Sequence, residues 1–89
     1  MVRVVFTPNL QRHIACPPVE VEAATVREAL DAAFAGNERA RAYVLDDQAG
    51  LRKHMTVFVN GNHITDRIHL SDHVPENGEI YVLQALSGG

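Results

Sequence analysis

An α+β domain, a mixed sheet of four to five strands covered on one face by one helix, is what this sequence predicts. Three observations lead there. Apolar and β-branched residues alternate with polar ones in Val2-Arg3-Val4-Val5-Phe6-Thr7, Met55-Thr56-Val57-Phe58-Val59 and Glu79-Ile80-Tyr81-Val82-Leu83-Gln84-Ala85-Leu86, the period of a strand. A single segment, from Val26 to Phe34, carries apolar residues at helical spacing behind a capping signal. Turn chemistry separates these pieces at Asn60-Gly61 and at Pro75-Glu76-Asn77-Gly78.

The first strand puts Val2, Val4 and Phe6 on one side and stops at Pro8-Asn9. Alternation resumes between Ile14 and Glu22, with Val19 and Val21 against Glu20 and Glu22 after Pro17-Pro18. Proline cannot donate to a ladder, so this second strand is expected at a sheet edge. In Thr25-Val26-Arg27-Glu28 the threonine oxygen is placed to accept from the third helical amide, and the glutamate to reach back to the cap. Val26, Ala29, Leu30, Ala33 and Phe34 form the buried stripe, Arg27, Glu28 and Asp31 face outward, and Gly36 closes the helix. Residues 37–54 have no fixed reading: Glu38-Arg39-Ala40-Arg41-Ala42 extends as a helical turn, or Tyr43-Val44-Leu45 pairs across Asp46-Asp47-Gln48-Ala49-Gly50. His63-Ile64 forms a short returning strand, and residues 65–77 are irregular with Leu70 and Val74 as anchors. Strand, strand, helix, strand, short strand, strand, with one helix for one face, is the β-grasp (ubiquitin-like) arrangement.

Composition bounds the function. The chain has 89 residues, 46% apolar and 21% charged, with a formal net charge of −3. One domain of this size buries roughly 60–65% of the surface its unfolded form exposes, enough for a core but not for a deep substrate cleft. A self-contained enzyme is not expected. The 8 Lys and Arg and 11 Asp and Glu are scattered, without a basic run that neutralises several phosphates, which argues against nucleic acid as a partner. The apolar run Val4–Phe6 is too short for the core of a signal peptide and no run reaches about 18 residues, so a membrane span is not expected and a cytoplasmic location is. A lone Cys16 fits a reducing compartment; before Pro17-Pro18 it reads as a small buried hydrophobe rather than a nucleophile. His63, His69 and His73 lack a partnering Cys pair and read as surface histidines, so no metal is expected. Asp46-Asp47 and Glu28 with Asp31 are explained by a turn and a solvated helix face.

Residues 1–86 are thus read as one domain and residues 87–89 as a tail. Two glycines that follow the last strand permit close approach of another protein's backbone, and a chain without side chains threads a narrow channel. If the helix covers the side bearing Val2, Val4, Phe6, Val57, Val59, Ile80 and Val82, the pleat puts Val5, Phe58, Tyr81 and Leu83 on the other. An exposed apolar patch of that kind reads as an interface, unless residues 37–54 fold over it.

The strand order, the run Val57-Phe58-Val59-Asn60-Gly61, the turn Asn77-Gly78-Glu79 before Ile80-Tyr81-Val82-Leu83, and Gly88-Gly89 beyond the last strand together resemble the ThiS/MoaD family of ubiquitin-like sulfur carriers. The resemblance spans the whole chain. It implies a non-catalytic carrier. A partner activating enzyme of the ubiquitin-activating type uses MgATP to adenylate the Gly89 carboxylate, and sulfur transfer gives a thiocarboxylate that supplies a sulfur-accepting synthase. Gly88 and Ser87 are the spacer, no cofactor is bound by the chain itself, and Val5, Phe58, Tyr81 and Leu83 form the partner-binding face. A ubiquitin-like modifier joined to lysines through Gly89, or a binding module that uses only the sheet face, are the alternatives. Ser87 stands where a small apolar residue is common and Asn77 where aspartate is frequent. Residues 37–54 form a longer stretch than in thiamin-type carriers, which favours the branch of the molybdopterin synthase small subunit or of cysteine synthesis.

Overall fold

The computed structural model describes residues 1–12, 14 and 16–84. Eight elements follow one another: β1 (Val2–Phe6), α1 (Pro8–Gln11), β2 (Val19–Val21), α2 (Val26–Ala33), α3 (Glu38–Val44), β3 (Met55–Val59), β4 (Asn62–His63) and β5 (Glu79–Gln84). The five strands form one sheet in the order β2-β1-β5-β3-β4. β1 and β5 run parallel, Arg3 opposite Glu79 and Phe6 opposite Val82, and every other pairing is antiparallel. β2, shorter than the expected stretch and beginning directly after Pro17-Pro18, lies at the edge as expected.

The alternation sorts as expected. Val2, Val4, Phe6, Val57, Ile80 and Val82 are buried, with Val59 half-buried against the same core. α2 closes over them: Thr25 accepts the Glu28 amide through its hydroxyl at 3.2 Å. Glu28 reaches back to the Ala24 amide at 2.8 Å, one residue before the cap and not the cap itself. Val26, Ala29 and Leu30 are buried, and Phe34 packs on Phe6 with ring centroids 5.7 Å apart. Each such aliphatic side chain contributes about 1.5–3 kcal/mol by leaving water.

Two helices accompany α2, where the sequence led to one. α1 begins at Pro8, whose fixed φ suits a first helical turn, and it drops Leu10 into the core. The proline read as a stop is a start. α3 resolves residues 37–54: Asn37 caps it by accepting the Ala40 amide, Ala40 and Val44 are buried, and Leu45 then bridges Leu51. Both readings of the segment hold in part, a helix first and a bridged loop after it. The short returning strand is Asn62–His63, one residue earlier than expected, because Asn60 and Gly61 take positive φ of 49° and 86° and turn the chain at once. Leu70 and Val74 anchor the irregular stretch as expected.

Candidate functional site: the open sheet face and the tail exit

Strand register decides which side chains share the uncovered face. Val5 lies opposite Tyr81, Tyr81 opposite Phe58, and Phe58 opposite His63, so one row crosses four strands. The next row toward the end of β5 pairs Leu83 with Thr56. Toward the start of β5, on the same face, Arg3 stands between Glu20 and Glu79. None of these side chains is buried, and Tyr81 keeps 38% of its surface. The sequence-predicted set Val5, Phe58, Tyr81 and Leu83 is therefore assembled on one face. Residues 37–54 do not cover it: Tyr43 of α3 donates its hydroxyl to Gln84 Oε1 at 3.0 Å, and Gln84 pairs with the buried Met55 on the helix side of the sheet.

His63 completes the patch, which alternation within a two-residue strand could not reveal. Its ring lies 4.2 Å from that of Phe58, tilted by 39°, and its Nδ1 is 3.5 Å from the Thr56 hydroxyl. The Asn60-Gly61 turn was the readable signal. A tight hairpin there forces residue 63 opposite residue 58.

The face is graded along β5. Its Glu79 end is charged, its middle is aromatic, and its Leu83-Gln84 end leads toward residues 85–89. Ser87, Gly88 and Gly89 lie outside the described residues, as do Ala85 and Leu86 of the expected strand. On the helix side of that same end, Ala42, Tyr43, Arg52, His54, Met55 and Gln84 line a groove of about 340 Å3.

Other chemistry-bearing groups have structural tasks. Cys16 is buried, its thiol donates to the Ile14 carbonyl at 3.2 Å, and desolvation pushes its pKa up, which keeps the sulfur protonated and unreactive. Asp46 accepts the Gln48 and Gly50 amides, both at 2.9 Å. Asp31 pairs with Arg41 at 2.8 Å. Arg27 donates to the carbonyls of Ala49, Ile68 and His69, and Arg67 to those of Arg52 and Met55. Asp66 accepts the Ser71 hydroxyl at 2.6 Å and the His69 amide at 2.9 Å. These bonds, in that order, hold its carboxyl well below the usual range. What the arrangement offers is an open sheet face with partly exposed apolar and aromatic side chains, on the strand that immediately precedes residues 85–89 in sequence. Among the described residues, no helix is long and apolar enough to cross a membrane.

No protein-family model matches this sequence, and no curated protein matches it. Solved structures do. SAMP1 of Haloferax volcanii superposes with a TM-score of 0.79 at 24% identity, covering 99% of this chain and 98% of that one. The BexX/CysO complex of Amycolatopsis orientalis contains a chain that matches with a TM-score of 0.79 at 25% identity, each chain covered in full (100% and 100%). CysO of Mycobacterium tuberculosis gives 0.74 at 14% identity over 97% of this chain and 100% of that one. The neighbours are ThiS/MoaD-like, ubiquitin-like β-grasp carriers and modifiers, and this chain shares their fold.

Proposed function

We propose, from a fold shared with ubiquitin-like carriers and modifiers, that this protein is a sulfur carrier that acts with partner enzymes and has no catalytic group of its own. One observation carries the reading: β5 presents Tyr81 and Leu83 on an open face and leads within a few residues to Ser87-Gly88-Gly89. Docking surface and reactive end are separated by only a few residues of sequence.

A carboxylate is a poor electrophile until one oxygen belongs to a good leaving group. The Gly89 carboxylate attacks the α-phosphorus of MgATP, both held by the activating enzyme, forming an acyl-adenylate and releasing pyrophosphate. A hydrosulfide equivalent adds to the acyl carbon and expels AMP, leaving a thiocarboxylate. This soft nucleophile passes its sulfur to an acceptor inside a synthase, in molybdopterin-like, cysteine or other sulfur insertion. Gly88 and Ser87 act as spacer, Val5, Phe58, Tyr81 and Leu83 as docking surface, and the cycle runs in the cytoplasm.

The name of the small archaeal modifier neighbours supports a second reading, in which a lysine amine displaces AMP and forms an isopeptide bond. Intact-mass analysis of the protein from its own cells separates them. A gain equal to one oxygen replaced by sulfur, localised to the peptide ending at Gly89, is the result expected for the carrier. Adducts on target lysines instead favour the modifier, and an unmodified terminus under sulfur-replete conditions with no adducts overturns both.

A further inference from the structure

We propose that the groove beside the tail exit is a second contact for the activating enzyme, fitted to a segment of that partner with an apolar side chain flanked by carboxylates. The proposal rests on the tail-activation reading.

The groove differs from the open face in position and in charge. Met55 and Gln84, opposite each other in the ladder, form its floor on the helix side of the sheet, and Ala42 and Tyr43 of α3 form one wall. Met55 is buried and Tyr43 half-buried, so the interior is apolar. Arg52 and His54 line the groove, and the exposed Lys53 lies between them in sequence. Arg52 donates Nε to the Ala42 carbonyl at 2.7 Å, which fixes its guanidinium across the edge. Among the described residues, the ion pairs are those of Arg27 and Arg41 with Asp31, so Arg52 and Lys53 are not neutralised by a salt bridge. Asp46 and Asp47 share a separate depression with Arg52, and Asp46 is engaged with two backbone amides.

The rest of the chain carries the opposite sign. Net charge is −3, while Glu20 and Glu79 flank Arg3 at the far end of the sheet and Glu22 and Glu76 lie near Met1. A carboxylate-bearing partner is repelled there and attracted to the tail exit, which orients its approach. Distance makes the contact hard to avoid. The five residues after Gln84 span at most about 17 Å when fully extended, so the enzyme that takes in Gly89 brings the rim of its entrance against this groove.

The test is ATP–pyrophosphate exchange by the activating enzyme of the same cell with the full-length carrier. Lys53→Glu, whose side chain is solvent-exposed, and the double variant Arg52→Glu with Lys53→Glu are compared with Glu22→Lys at the far end. The double variant is expected to raise KM for the carrier roughly tenfold at low salt with kcat unchanged, and to flatten the salt dependence. Ala42→Trp, which fills the groove from an exposed helix position, is expected to raise KM at high salt too. Unchanged KM in Lys53→Glu, the double variant and Ala42→Trp, as in the Glu22→Lys control, overturns the proposal and leaves tail activation standing. A rise in KM for ATP alone assigns the cations to nucleotide phosphates and overturns it as well. No exchange with the unaltered carrier removes the tail reading and this proposal together.

Discussion

Asn60 accepts the Glu79 amide through its side-chain oxygen at 2.8 Å, tying the β3–β4 turn to the first residue of β5. The same residue sits at φ 49°, where asparagine is tolerated better than most side chains. One side chain thus serves the turn and the strand register that builds the open face. Asn60→Ala is expected to lose both functions, costing about 1–2 kcal/mol by denaturant unfolding. Asn60→Gly keeps the turn and loses only the hydrogen bond, so its cost is expected to be smaller.

Gly78 is set by space. A Cβ there would lie 2.8 Å from the Pro75 carbonyl oxygen and 3.0 Å from a Val74 methyl, and Val74 is in the core. The Gly78 carbonyl meanwhile accepts the Arg3 amide at 3.0 Å. Gly78→Ala is expected to destabilise by about 1–3 kcal/mol as backbone and core shift together. Thermal unfolding measures it.

Asp66 links stability to pH. Its folded pKa is depressed by the Ser71 hydroxyl and the His69, Ser71 and Ile68 amides, so the ionised form is favoured by folding. The stabilisation is fully present above the unfolded value near 3.9 and is lost as pH falls below it toward the lower folded value. Asp66→Asn is expected to be less stable than the parent at pH 7, with the difference shrinking steadily below about pH 4. Denaturant midpoints across that range give the result; a constant difference would contradict the assignment.

The two sides of the sheet are expected to separate stability from function. Val57→Ala removes methyl groups from a fully buried site and is expected to cost roughly 2 kcal/mol or more. Tyr81→Ala and Phe58→Ala, on the open face, are expected to shift unfolding far less while raising KM for the carrier in the activation assay. Equal kinetics for both would remove the docking role of that face.

Most of the fold was legible because period-2 alternation and one capped helix were strong local signals that tertiary packing did not override. Val5, Phe58, Tyr81 and Leu83 followed from the pleat alone. Three features escaped for physical reasons. Pro8 both ends a strand and suits the first turn of a helix, and only the burial of Leu10 decides between them. The segment 37–54 draws its form from distant partners, with Arg27 on Ala49 and Arg67 on Arg52 and Met55, which local propensity does not encode. The place of His63 in the aromatic row depends on the hairpin register.

The parallel pairing of β1 with β5 governs when the domain can come into being. Residues 2–6 are made well before residues 79–84, their central neighbour in the sheet, so the core lacks its middle strand until synthesis has passed residue 84. Pairing of such sequence-distant segments is the slow, late step of folding. A nascent chain that has not reached β5 therefore holds exposed valine-rich segments and no assembled row of Val5, Tyr81 and Phe58. The open face is thus assembled only once β5 is available to stand between β1 and β3.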